Sequence, residues 1–178
     1  MKRSLYYNNL IPKKYLDSLS KKNLASKCEN IISNIELDVD TPNNTFHSLS
    51  KKFKLNFKLS DLLKFKKFKT VVIIGMGGSI LGADAMYNFF KSKIKKKFMF
   101  FDDIDESKIL NIKKNYKVKN ILFLIISKSG NTLETLSNFF SLNIVKKNSK
   151  NIIIISEKKR NSLFLLSKKL NLFHIEHK

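Results

Sequence analysis

Arginine and cysteine are nearly absent from this chain, and so is any long hydrophobic run; each shortage removes a class of function. Of the 35 basic residues only Arg3 and Arg160 are arginines, and Asn, Ile and Phe abound beside the lysines, a bias that AT-rich coding produces without selection. A strong positive field attracts phosphate polymers, but with drift as its source the formal charge of +21 is a poor sign of a nucleic-acid partner. The lysines also run along the whole chain, and clusters such as Lys66, Lys67 and Lys69 stand just before apolar runs, where solvated strand entries belong. We therefore expect no nucleic acid, and a surface charge that helps to draw in a small phosphorylated metabolite. The lone Cys28 forms no internal disulfide, and no Cys or His cluster has zinc spacing, so no metal is expected. The longest apolar runs, 71–74, 121–126 and 152–155, are far too short to span a bilayer. The start, Met1-Lys2-Arg3, leads into no apolar core of signal-peptide length, so a cytoplasmic protein without a membrane partner is expected.

What the chain does have is rhythm. With 178 residues it has length for one main domain. From about Lys69 onward, apolar runs rich in Val, Ile and Phe alternate with longer amphipathic stretches, the mark of repeated βα units. The pattern predicts strands over 70–75, 98–102, 120–127, 151–156 and 172–175, with helices over 79–93, 106–116, 132–147 and 158–170. Each gap is long enough for the crossover that a parallel pair requires. Strands apolar throughout are covered on both faces, so the fold expected is α/β, a three-layer αβα sandwich around a five-stranded parallel sheet. Residues 1–67 lack such strands: 11–35 carries apolar residues at helical spacings, Thr41-Pro42-Asn43-Asn44 breaks it, and another helix is expected around 46–55. The domain plan is thus a helical N-terminal segment, 1–67, packed on a sandwich over 68–178.

Ligands of an open parallel sheet bind at the carboxyl ends of its strands, and two of the loops there are unusual. After the first strand comes Gly75-Met76-Gly77-Gly78-Ser79-Ile80-Leu81-Gly82, whose glycines permit a tight turn and whose Ser79 is placed to cap a helix and to offer a hydroxyl to an anion. After the third comes Ser127-Lys128-Ser129-Gly130-Asn131-Thr132-Leu133-Glu134. Hydroxyls, an amide, an ammonium and the start of a helix meet in this short stretch, and a terminal phosphate needs that many converging donors. The competing reading is that Ser, Asn and Thr merely cap the helix. A dinucleotide site is disfavoured because Ile80 stands where its fingerprint needs a third glycine, and neither loop ends in the lysine and serine of an ATP-binding loop. His174 and His177 read as a solvent-facing tail, and His47 as structural.

The pattern Ser127-x-Ser129-Gly130-x-Thr132 resembles the phosphate loop of the sugar isomerase domain. Together with Gly75-Met76-Gly77-Gly78-Ser79, the segment Phe101-Asp102-Asp103-Ile104-Asp105, and Glu134-Thr135, it is similar to the glucose-6-phosphate isomerase family. That resemblance implies an enzyme that interconverts glucose 6-phosphate and fructose 6-phosphate through a cis-enediol, without a cofactor. It implies that Gly78 and Ser79 line the sugar site, that Ser127, Lys128, Ser129 and Thr132 hold the phosphate, and that Glu134 has a supporting catalytic role. It further implies a homodimer for the complete enzyme. The family's base glutamate, its enediolate-steadying arginine and its ring-opening histidine and lysine lie after the first sugar isomerase domain. The chain, ending at Lys178 about where that domain ends, is therefore expected to be the N-terminal part of such an enzyme, inactive alone. Gly130-Asn131-Thr132 and Gly75-Met76-Gly77-Gly78-Ser79 also resemble the bifunctional phosphoglucose and phosphomannose isomerases, and a non-catalytic phosphosugar-sensing module is a further alternative.

Overall fold

The computed structural model describes residues 17–42 and 44–177. The chain divides into two compact units, 1–55 and 56–178.

In the first unit, helix α1 (Ser18–Asp40) is capped by Asp17, whose carboxylate accepts from the Ser20 amide at 2.7 Å. It runs five residues beyond the predicted 35, and predicted positions 11–16 lie outside the described residues. Thr41 ends it, turning its hydroxyl back to the Leu37 carbonyl at 2.9 Å. The helix expected around 46–55 is instead a single 3-10 turn, Thr45–Leu49. Polar contacts with the end of α1 explain this: a His47 ring nitrogen lies 3.0 Å from the Val39 carbonyl, and Ser50 donates to Asp40 at 3.1 Å. Extended backbone at Ser50 then stops the turn. Cys28 is exposed on α1.

In the second unit, a short helix α2 (Leu59–Leu62) precedes five strands: β1 (Thr70–Ile74), β2 (Lys97–Phe101), β3 (Ile121–Ile126), β4 (Ile152–Ser156) and β5 (Phe173–Glu176). Between them run α3 (Leu81–Phe90), α4 (Glu106–Asn115), α5 (Leu133–Ser141) and α6 (Ser162–Lys169). All pairings are parallel, in the order β2-β1-β3-β4-β5. The strands fall within about two residues of their predicted bounds, but all four helices are shorter than predicted, α4 by a single residue. Asn143, in left-handed backbone at φ 52°, closes off α5 before the amphipathic pattern ends.

Strand order decides where the helices lie. Right-handed crossovers put a helix on the face set by the direction of travel. The step from β1 to β2 goes one way and the other three go back, so α3 sits alone on one face. The opposite face packs α4, α5 and α6 over Val72, Ile74, Phe123, Ile125, Ile152 and Ile154. On the α3 face, Val71, Ile73, Leu122 and Ile153 are covered with help from Phe65 and Phe68, while Leu124, Ile126, Ile155 and Phe173 remain half-buried. The expectation of helices over both faces therefore holds unequally, because one excursion out against three back leaves a single crossover helix on this side.

His174 is no solvent-facing tail. It lies half-buried on β5, with Nε2 3.0 Å from the hydroxyl of the fully buried Ser156 and its ring edge-on to Phe164. Burial pushes its pKa below the ordinary value. An unfolded chain takes up a proton at His174 below about pH 6.5 that the folded protein resists. Its contribution to stability is thus retained above that pH and lost as pH falls through 6.5 toward the depressed folded value. Melting temperature should drop between pH 7.5 and pH 5.5, and His174→Gln should flatten that slope; an unchanged slope would contradict the assignment.

Candidate functional site

Strands β1 and β3 are neighbours, with Ile74 opposite Ile125, so the two loops singled out above leave the same edge of the sheet side by side. The chain passes outward from β1 to β2 and then returns past β1 to β3. The carboxyl edge between β1 and β3 is thus the topological switch point, where loops diverge and open sheets of this kind form a crevice.

The first loop is compact. Gly77 takes φ 51°, and residues Gly77–Ser79 form a 3-10 turn closed by the Ser79 amide on the Met76 carbonyl at 3.0 Å. Gly75 is tightly confined: a Cβ there would lie 3.0 Å from the Ile126 carbonyl oxygen and 3.2 Å from the Ser79 Cβ. The missing side chain lets the turn fold down against the end of β3. Gly78 is exposed and Ser79 half-buried. Ser79 does not cap the following helix as expected, because the 3-10 turn inserts Ile80 as the residue before α3. Among the described residues its hydroxyl makes no hydrogen bond.

The second loop closes on itself. The Ser127 hydroxyl, 2% exposed with its residue, accepts from the Gly130 amide at 3.1 Å and lies 2.8 Å from the Thr132 hydroxyl. Ser129 accepts from the Asn131 amide at 3.3 Å. Asn131 spends its side-chain oxygen elsewhere, on the Ser162 amide at 2.9 Å. Lys128 and Ser129 are exposed, Thr132 is half-buried, and Glu134 is exposed in the first turn of α5. No described carboxylate forms an ion pair with Lys128. Glu157 is held below its ordinary pKa first by a hydrogen bond from Lys159, with Lys128 and His177 adding to the field.

The capping reading fails in a specific way. Helices α4 and α6 carry side-chain caps from Asp105 and Asn161, at 2.8 Å and 2.9 Å. Helices α3 and α5, which start at the switch point, have none. Thr132, the residue in the cap position of α5, has its hydroxyl paired with Ser127 instead. Among the described residues nothing accepts from the first amides of α5, at Leu133, Glu134 and Thr135. A helix start with free amides and a positive dipole end attracts an anion. The sequence reading missed Asn161, because the predicted helix over 158–170 placed it inside rather than at the boundary. It also missed Asn138, fully buried on α5, which donates to the Asp103 carbonyl at 2.7 Å and ties that helix to the β2–α4 loop.

This geometry defines a class: a doubly wound, all-parallel α/β domain with two uncapped helix starts facing its switch point. Residues 20–168 match the family model for phosphoglucose isomerase, and the chain belongs to that family. It is 40% identical over 116 residues to the glucose-6-phosphate isomerase of Borreliella afzelii, a match covering 58% of this chain and 22% of that protein. Against the glucose-6-phosphate isomerase of Methanocaldococcus jannaschii it is 45% identical over 80 residues, covering 45% of this chain and 19% of the other. A crystal structure of a glucose-6-phosphate isomerase from Chlamydia trachomatis superposes with a TM-score of 0.52 at 24% identity, covering 65% of this chain and 23% of that one, which supports the fold. The matched stretch spans about a fifth of the length of these curated relatives. No described helix is long and apolar enough to cross a membrane.

Proposed function

We propose that this chain is the N-terminal, phosphate-anchoring part of a glucose-6-phosphate isomerase, with its sugar isomerase domain over 68–178 preceded by a helical segment. The observation that carries the reading is the contrast in caps: the helices that follow β1 and β3, the strands flanking the switch point, lack them, while α4 and α6, which follow β2 and β4, have them. The phosphate takes the open amides of α5, the exposed Ser129 hydroxyl and the Lys128 ammonium. The paired hydroxyls of buried Ser127 and half-buried Thr132 complete the cradle. The Gly130 amide donates to the Ser127 hydroxyl, which lies 2.8 Å from that of Thr132; we read Ser127 as the donor in that contact, which leaves the Thr132 hydrogen for a phosphate oxygen. Gly78 and Ser79 line the sugar end of the crevice, and Glu134 supports the site from the first turn of α5.

In an aldose-ketose isomerisation the phosphate fixes the substrate while acid-base groups open the ring and a carboxylate carries a proton between C2 and C1. On this chain's own residues we assign anchoring rather than turnover, since its two loops bring donors and no pairing of a base with an arginine. The complete enzyme is a cytoplasmic homodimer that acts on glucose 6-phosphate and fructose 6-phosphate without a cofactor.

Titration calorimetry with fructose 6-phosphate tests the reading. A charge-assisted hydrogen bond contributes about 1.5–3 kcal/mol, so Ser129→Ala and Lys128→Ala should each weaken binding by roughly 10- to 100-fold. Both residues are exposed, so the melting temperature should hardly change. Equal affinities for wild type and both variants would remove the site.

A further inference from the structure

The phosphate loop does not stand alone: it leans on the segment from Glu157 to Phe164, and three of its oxygens are tied there. The Lys128 carbonyl accepts from the Glu157 amide at 3.0 Å, the Gly130 carbonyl from the Leu163 amide at 3.1 Å, and the Asn131 side-chain oxygen from the Ser162 amide at 2.9 Å. Each of these oxygens carries partial negative charge and would repel a phosphate if it turned inward. The Glu157 amide and the first two amides of α6 hold them back, while the first amides of α5 are left open.

One side chain joins the pieces of this support. Asn161 is 4% exposed, accepts from the Phe164 amide at 2.9 Å and donates to the Glu157 carbonyl at 2.9 Å. It also lies flat against Gly130, where an added Cβ would fall 1.9 Å from Asn161 Oδ1. Gly130 takes φ 69°, so loop and support meet at the residue where the chain turns.

We propose that Asn161 is a positioning residue for the phosphate loop, fixing the segment from Glu157 to Phe164 that holds the loop's oxygens so that the loop's donors and the amides of α5 stay open to the anion. The inference rests on the phosphate-site reading given above. Asn161→Ser keeps a helix-capping hydroxyl but loses the donor to Glu157 and the contact with Gly130. In the full chain this variant should melt within a few degrees of wild type and bind both fructose 6-phosphate and inorganic phosphate roughly tenfold more weakly. The losses for the two probes should match, because only the phosphate end is affected. A purely structural role would add independently to Ser129→Ala; a positioning role makes the double variant weaker than Ser129→Ala by clearly less than tenfold.

Wild-type affinity in Asn161→Ser, or a full tenfold loss on top of Ser129→Ala, overturns the proposal. If Ser129→Ala itself binds like wild type, the phosphate site is what fails, and the role of Asn161 goes with it. Should Asn161→Ser melt more than about 10 °C low, Asn161→Asp takes its place under the same criteria. It keeps the capping oxygen and loses the donor, and is measured at about 0.3 M salt to screen its charge.

Discussion

Replacing Gly130 by alanine is expected to abolish measurable phosphosugar binding and to lower the melting temperature by about 5–15 °C. Two costs add. At φ 69° an L-residue pays about 1–2 kcal/mol for left-handed backbone. The new methyl would also sit 1.9 Å from Asn161 Oδ1 and 2.3 Å from its Cγ, distances no packing adjustment of the methyl can relieve. Asn161 must leave, taking with it the cap of α6, worth about 1 kcal/mol, and the bond to the Glu157 carbonyl. The loop would then lose the side chain packed against Gly130. Thermal melts and calorimetry on the same preparation check both halves of the expectation. An alanine variant that melts and binds like wild type would mean that Asn161 and the loop can separate without consequence.

The second large effect lies in the sheet itself. Phe123→Ala should cost about 3–5 kcal/mol, because Phe123 is fully buried on β3 under the face that carries α4, α5 and α6. Leu124, the next residue, points to the α3 face and is half-buried. Part of its surface never leaves water, so Leu124→Ala should cost under about 2 kcal/mol. Denaturant unfolding of the two variants measures the inequality of the faces directly. Similar losses would contradict the arrangement of one helix against three.

The strands were legible because burial on both sides demands unbroken apolar runs, and runs such as 121–126 and 152–155 are of strand length and far too short to span a bilayer. The two loops were legible for a different reason. Glycines at 75, 77 and 78, and hydroxyls around Lys128, are local chemistry that does not depend on what packs nearby. Helix ends were less so. Ser79 has the chemistry of a cap, but three-residue turns and helix starts compete for the same glycine-rich stretch, and here the turn displaced it. His174 near the chain end looked like tail, since nothing local reveals that Ser156, on the neighbouring strand, sits within hydrogen-bonding distance.

By itself, the amino-acid order determined the strands, their parallel pairing and the donors available at the strand ends, because periodicity, turn chemistry and side-chain type act over a few residues. Only the tertiary structure decided that β1 and β3 are neighbours, that the hydroxyls of Ser127 and Thr132 face each other rather than the helix, and that Asn161 braces Gly130 across 31 positions of sequence. Strands buried on both faces carry no mark of which neighbour they will take. Contacts between distant loops form only once that choice has been made.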